Sequence, residues 1–252
     1  MMKILVVDVG GHHVKLLASD ETEPRAFVSG SRMSPQQMVR GTLDASRDWR
    51  YEVVSIGYPG PVLHDRPVRE PHNLGHGWVG FDFEAALGRP VKVVNDAAMQ
   101  AIGSYEGGTM LFLGLGTGLG SALMVDGRVE AMELAHLPYR KGRSYEDYVG
   151  ERGLERLGTK KWRKAVFDVV ETLRAALRPD YVVLGGGNAR KLDAQALPPQ
   201  VRLGDNANAF VGGFRLWVDA AHAPRAGLCA GSGAGSCGKS HAGSRPHADS
   251  RS

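Results

Sequence analysis

The chain has 252 residues, 42% of them hydrophobic and 23% charged, which suits one large or two small globular domains with a buried core and excludes a fibrous or wholly disordered protein. Two values are unusual: 34 glycines, about 13% against a typical ~7%, and a net charge of +4 with a pI near 9.1. The longest apolar runs, residues 4–7 and 110–115, are far shorter than the ~20 residues of a membrane helix. The four apolar residues before Asp8 are too few for a signal-peptide core, so a cytoplasmic protein with no membrane partner is expected.

In chain order, Ile4–Val9 reads as a strand that turns at Gly10-Gly11 into a second strand over 14–18. Ser34-Pro35 supplies an N-cap and first-turn proline for a helix to about Trp49. A strand over Val53–Tyr58 ends at Pro59-Gly60, a helix over Phe83–Leu87 follows a loop, and a strand over 91–94 meets a helix that begins near Asp96. The second half repeats the theme. A strand over 110–115 ends in Gly116-Thr117-Gly118 and pairs with 121–125, which reaches the turn Asp126-Gly127. Helices are expected over 145–157 and 161–177, the latter with Trp162, Ala165, Val166, Val169, Val170 and Leu173 on one face. A buried strand over 181–184 enters three glycines at 185–187, and a helix over 206–217 closes the body.

The order is that of an α/β chain in which two similar lobes, 1–107 and 108–220, flank a cleft. Residues 221–252 read as a flexible low-complexity tail holding Cys229 and Cys237, which make neither a disulfide framework nor a zinc site. The tail also carries a charge of +3, so the basic pI belongs mostly to it. That charge is too dilute, and too poor in aromatics, to suggest nucleic acid.

Four glycine turns follow apolar strands: Gly10-Gly11, 57–60, 114–120 and 185–187. Any one of them is simply a tight turn. None matches a P-loop or a Rossmann fingerprint, yet four at strand ends in a two-lobed chain favour a phosphate cleft.

The segments "VVDVGGHHVKLL", "SIGYPGPV", "PHNLGHGWVGFDFEAALGRPVKVVNDAAMQA", "LFLGLGTGLGSALMVDGRV", "MELAHLPY" and "VVLGGGNARKL" resemble, in order and spacing, the ROK family of sugar kinases and its polyphosphate/ATP glucokinase branch. The likeness runs over residues 2–217. It implies the actin-like ATPase fold, related to that of ribonuclease H, with the site between lobes, and transfer of phosphoryl from ATP or polyphosphate to a hexose, giving glucose 6-phosphate from glucose.

The resemblance also implies roles. Gly10, Gly11 and His12 would line the first phosphate site, Gly116, Thr117 and Gly118 the second, and Gly185, Gly186 and Gly187 the nucleotide. Asp8 would hold Mg²⁺. Asp96 would be the base that takes the sugar hydroxyl's proton, while Asn95, Gly60, Asn73, Glu133 and His136 would bind sugar; Trp78 is read as core. No zinc is expected, because the family's cysteine-rich zinc motif is absent. A homodimer is compatible with the resemblance.

Two positions depart from the family pattern: His12 stands where a Thr or Ser is usual, and Ala135 replaces a glycine, which requires a negative φ. Only 48 residues separate His136 from Gly185, so the second lobe is reduced and a third acidic sugar ligand is expected to be lost with it. The alternatives are a sugar- or nucleotide-binding homologue without turnover, and a sugar-sensing repressor. The latter needs an N-terminal helix-turn-helix, whereas the first strand here begins at Ile4.

Overall fold

The structure, a computed structural model, describes residues 2–218; the predicted tail and both cysteines lie outside the described residues. The first half builds β1 (Ile4–Val9), β2 (His13–Ala18), β3 (Arg25–Val28), α1 (Pro35–Ala45), β4 (Val53–Tyr58), a small ribbon of β5 (Val62–Leu63) and β6 (Arg66–Pro67), α2 (Phe83–Leu87) and β7 (Val91–Asn95). After α3 (Asp96–Ser104) come β8 (Thr109–Leu115), β9 (Leu119–Val125), β10 (Arg128–Met132), α4 (Glu146–Val149), α5 (Glu151–Leu177), β11 (Tyr181–Gly185), β12 (Val201–Leu203) and α6 (Asn208–Val218).

Two five-stranded sheets result, ordered β3-β2-β1-β4-β7 and β10-β9-β8-β11-β12. Their plans match. Each opens with an antiparallel three-strand meander and continues with two strands parallel to the first. The central strands β1 and β4 are nearly continuous apolar runs, as strands covered on both faces must be. In β1 the one polar residue is Asp8, near its C-terminal end.

Local chemistry explains the ends of the elements. Ser34 caps α1 in a reciprocal box with Gln37: the Gln37 N–H donates to Ser34 Oγ (3.3 Å), and the Ser34 N–H donates to Gln37 Oε1 (2.9 Å). The helix stops at Ala45 rather than Trp49, because Ser46 folds back on the Thr42 carbonyl (2.7 Å) and Arg25 takes the Ala45 carbonyl (2.7 Å). The apolar face expected over 161–177 is buried, and Gly158, at φ 72°, breaks α5 into two helical runs. The short strands β3, β10 and β12 carry no sequence signal, because each has too few buried residues to show an alternating pattern.

Between the sheets lie α3 and α6. The first packs on β8, β9 and β10, the second on β1 and β4, and they cross each other. A methyl group on Gly103 would overlap the Asn208 carbonyl, and one on Gly212 the Met99 carbonyl, so the backbones touch. Ser55 Oγ donates to the Gly213 carbonyl (2.6 Å) and accepts from Trp217 Nε1 (2.9 Å), which fastens α6 to the first sheet. A central core thus draws Ile4 and Val6 from one sheet and Met110, Phe112 and Val183 from the other around both helices.

Candidate active site

The C-terminal ends of β1, β4 and β7 converge on the start of α3. In the parallel register Asp8 lies beside Gly57, where a methyl group would stand 3.7 Å from Asp8 Oδ1. The turn after β1 closes with the Gly10 N–H on the His13 carbonyl (3.0 Å), and Gly11 approaches Asn73 so closely that a methyl would sit 3.2 Å from its Cβ. Asn73 rides on a loop held by Glu70, whose carboxylate accepts from the N–H groups of Trp78 (3.1 Å) and Val79 (3.3 Å). Trp78 is the anchor of that loop: it is fully buried between Tyr58 and Phe83.

Asn95 caps α3, accepting from the Ala98 N–H (3.1 Å), and donates its amide to the Gly60 carbonyl (3.1 Å). Asp96 follows at the first helical position and accepts from the Ala97 N–H (2.8 Å). Burial pushes its carboxyl up to about 7, and the charges of Asp8 and Glu133 add to the rise. Asp8 is itself raised by burial, with Lys15 acting against that. Three carboxylates therefore share one field, and the helix N-terminus does not fully offset it.

The second sheet brings the other turns. Gly120 of β9 fits against Ala97, where a methyl would stand 2.8 Å from Ala97 Cβ, so the β8–β9 turn lies near Asp96. In that turn Thr117 is exposed, and its carbonyl accepts from the Glu151 N–H (3.2 Å). The glycines at 185–187 adjoin it. Gly186 has φ 82° and no room for a side chain against Leu115, while Asn188 donates its backbone N–H to the Leu115 carbonyl (2.9 Å) and its side-chain amide to the Gly116 carbonyl (3.1 Å).

Glu133 follows β10 and precedes a 3-10 turn, Leu134–His136, fixed by Ser121 Oγ, which donates to the Met132 carbonyl (2.7 Å) and accepts from Leu134 (3.3 Å). Ala135 is buried inside that turn and is absent from the positive-φ residues, so the loss of glycine is accommodated. His12 and His136 are exposed, and neither side chain has a hydrogen bond or ion pair among the described residues.

Asp8, Gly10, Gly11, Gly60, Asn73, Asn95, Asp96 and Glu133 thus come together, and the two later glycine turns are laced to each other. Three further participants escape sequence reasoning. Glu70 has no local signal. Asn188 lies inside the "VVLGGGNARKL" segment, but nothing in that segment gives its partner. Glu146 reaches the second turn, where the Leu119 N–H meets its Oε2 at 3.4 Å and a side chain on Gly118 would collide with it.

No cluster of three or more His, Cys, Asp or Glu side chains able to hold a metal occurs among the described residues. The Asp8 carboxylate, raised by burial beside the turn at Gly10-Gly11, nevertheless suits Mg²⁺, which needs only one or two carboxylates and completes its shell with water and substrate phosphate.

Matching sheets around a helix pair, with glycine turns and a carboxylate helix N-terminus facing one another, define the actin-like ATPase fold. No family model matches the chain. Polyphosphate glucokinase from Mycobacterium tuberculosis (strain H37Ra) is 28% identical over 208 residues, covering 75% of this chain and 74% of that protein. Inorganic polyphosphate/ATP-glucomannokinase from Arthrobacter sp. strain KM superposes with a TM-score of 0.74 at 22% identity, over 84% of this chain and 97% of that one. A ROK family glucokinase from Streptomyces griseus, solved with glucose and AMPPNP, gives 0.72 at 17% identity, over 85% and 98%. The chain is thus similar in sequence to polyphosphate glucokinases and shares its fold with ROK family sugar kinases.

Proposed function

We propose that this protein is a sugar kinase that moves a phosphoryl group from ATP or polyphosphate to a hexose, making glucose 6-phosphate from glucose. The observation that carries the reading is Asp96: a carboxylate at a helix N-terminus, raised to about 7 and flanked by Asp8 and Glu133, faces two glycine turns. A base with that affinity holds a proton as the hydroxyl gives it up and releases it near neutral pH.

In this reading Asn73, Asn95, Glu133 and His136 hold sugar hydroxyls, and Gly60 shapes the floor through its hydrogen bond to Asn95. Backbone N–H groups of Gly11 and Gly118, with the Thr117 hydroxyl, line the donor phosphates, in turns that Gly10 and Gly116 close by donating to the His13 and Gly118 carbonyls. His12 adds a donor beside them, and the glycines at 185–187 border the nucleotide. The sugar oxygen attacks the terminal phosphorus as Asp96 takes its proton; the O–P bond forms, and the electron pair of the broken P–O bond leaves with ADP or the shortened polyphosphate. Asp8 would hold Mg²⁺, directly or through water, and the ion would supply positive charge to the transferred phosphoryl group.

The lobes 1–107 and 108–220, a homodimer, a cytoplasmic location and entry of the product into glycolysis belong to the same reading. Among the described residues no helix is long and apolar enough to cross a membrane. A binding-only protein is not favoured, since Asp8, Asp96, Thr117, Glu133 and His136 are retained.

The test is a panel of hexoses assayed with ATP and with polyphosphate, with Asp96→Asn as the blank. Phosphorylation of glucose that the variant abolishes is expected; no phosphorylation of any sugar with either donor overturns the reading. His12→Thr is expected to change the ratio of ATP to polyphosphate turnover, and unchanged kinetics with both donors would remove His12 from the site.

A further inference from the structure

Up to residue 220 the chain has 27 Lys and Arg against 26 Asp and Glu, but its cations are unevenly spread. From residue 156 to 167 there are five, Arg156, Lys160, Lys161, Arg163 and Lys164, and no carboxylate. The apolar face of α5 turns Trp162, Ala165 and Val166 inward, which leaves Lys160, Lys161 and Lys164 exposed and Arg163 half-buried. Arg163 Nε donates to the Lys191 carbonyl at 2.6 Å, so the 3-10 turn Ala189–Lys191, with Arg190 and Lys191 exposed, lies alongside.

Among the described residues, Lys160, Lys161, Lys164, Arg190 and Lys191 form no ion pair, although their neighbours Arg152, Arg140 and Arg174 do. Clustered like charges without counter-charges repel one another and attract a polyanion. The surface starts at the second glycine turn: Asn188, bonded to Gly116, is followed at once by the 3-10 turn, and α5 begins at Glu151, bonded to Thr117.

Resting on the kinase reading, we propose that this surface, from Arg190 and Lys191 across Arg163 to Lys160 and Lys164, binds the distal part of a long inorganic polyphosphate whose terminal phosphates occupy the glycine turns. ATP ends in adenosine after three phosphates, whereas polyphosphate continues as a linear anion with a charge on every unit. Lysines on flexible stems suit a ligand without fixed register. The aromatic side chains of this stretch, Trp162 and Phe167, are buried and half-buried, so the stacking platform that single-stranded nucleic acid uses is missing.

The experiment measures binding of fluorescently end-labelled long-chain polyphosphate by anisotropy, without sugar, over a salt series. It compares the wild-type protein, the triple variant Lys160→Gln/Lys164→Gln/Lys191→Gln, and the equally discharged control Arg40→Gln/Arg47→Gln/Arg50→Gln on the first half of the chain. The first variant is expected to weaken binding at least tenfold. It should also reduce the slope of log affinity against log salt by about 2, because each lysine that no longer neutralises a phosphate removes ~0.7 from that slope. The control is expected to stay within twofold of wild type. Unchanged affinity in the first variant, or equal weakening in both, overturns the proposal. So does single-stranded RNA of equal charge competing as well as unlabelled polyphosphate. Weakened binding in the first variant alone, in a wild-type protein that phosphorylates no sugar, supports the surface and sinks the kinase reading.

Discussion

Asp96 has two physical identities, a helix-capping neighbour and a base, and its environment separates them. A carboxylate that only stabilised a helix N-terminus would be favoured in its charged form; burial beside Asp8 and Glu133 makes the charge costly instead. Asp96→Asn is therefore expected to lower kcat by about 10²- to 10⁴-fold, read in a coupled assay for the sugar phosphate. Because the folded-state pKa of Asp96 is raised, folding takes up a proton between about pH 4 and about pH 7, and that stabilisation is lost as the pH rises through about 7. Asp96→Asn should thus melt a few degrees above wild type at pH 8, with the difference closing toward pH 5, and kcat/KM of the wild type should decline as the pH drops below about 7. Asp8→Asn removes the neighbouring charge and should move the Asp96 titration, followed by carboxyl NMR, to lower pH.

At the scale of elements, the site depends on turns fastened to one another more than on their own residues. The β8–β9 turn and the glycines at 185–187 belong to strands that pair in parallel, yet Asn188 ties their tips through the Gly116 carbonyl. One such hydrogen bond is worth about 1 kcal/mol, so Asn188→Ala should raise the KM for ATP about fivefold and leave the KM for the sugar unchanged, as measured by initial rates with each substrate varied in turn. The loop that presents Asn73 is fastened differently, by the Glu70 carboxylate and the buried Trp78. Nothing in the spacing of "REPHNLGHGW" announces that Glu70 would cap the N–H groups of residues 78 and 79.

At the scale of the molecule, two sheets of the same plan are joined through α3 and α6, and the helix that starts with Asp96 is half of that joint. The contact is backbone against backbone at Gly103 and Gly212. A methyl group there has no flexible side chain to displace, so Gly212→Ala is expected to cost about 3 kcal/mol and lower Tm by about 10 °C in a thermal melt. A melting temperature within 2 °C of wild type would show that the joint yields.

Much of the architecture is legible from local pattern. The apolar runs of β1, β4, β8 and β11, the Ser34-Pro35 helix start and the apolar face of α5 all follow from periodicity and capping, because each is decided within a few residues of chain. The glycine turns can be located but not paired, since a glycine reveals its freedom and not its neighbour. Tertiary structure alone decided that Gly11 meets Asn73, that Asn188 crosses to Gly116, that Glu146 reaches the second turn, and that burial, reinforced by Asp8 and Glu133, raises Asp96. The reason is range. Capping and periodicity act along the chain, whereas burial, repulsion between carboxylates and close backbone packing depend on residues that sequence separates and the two sheets bring together.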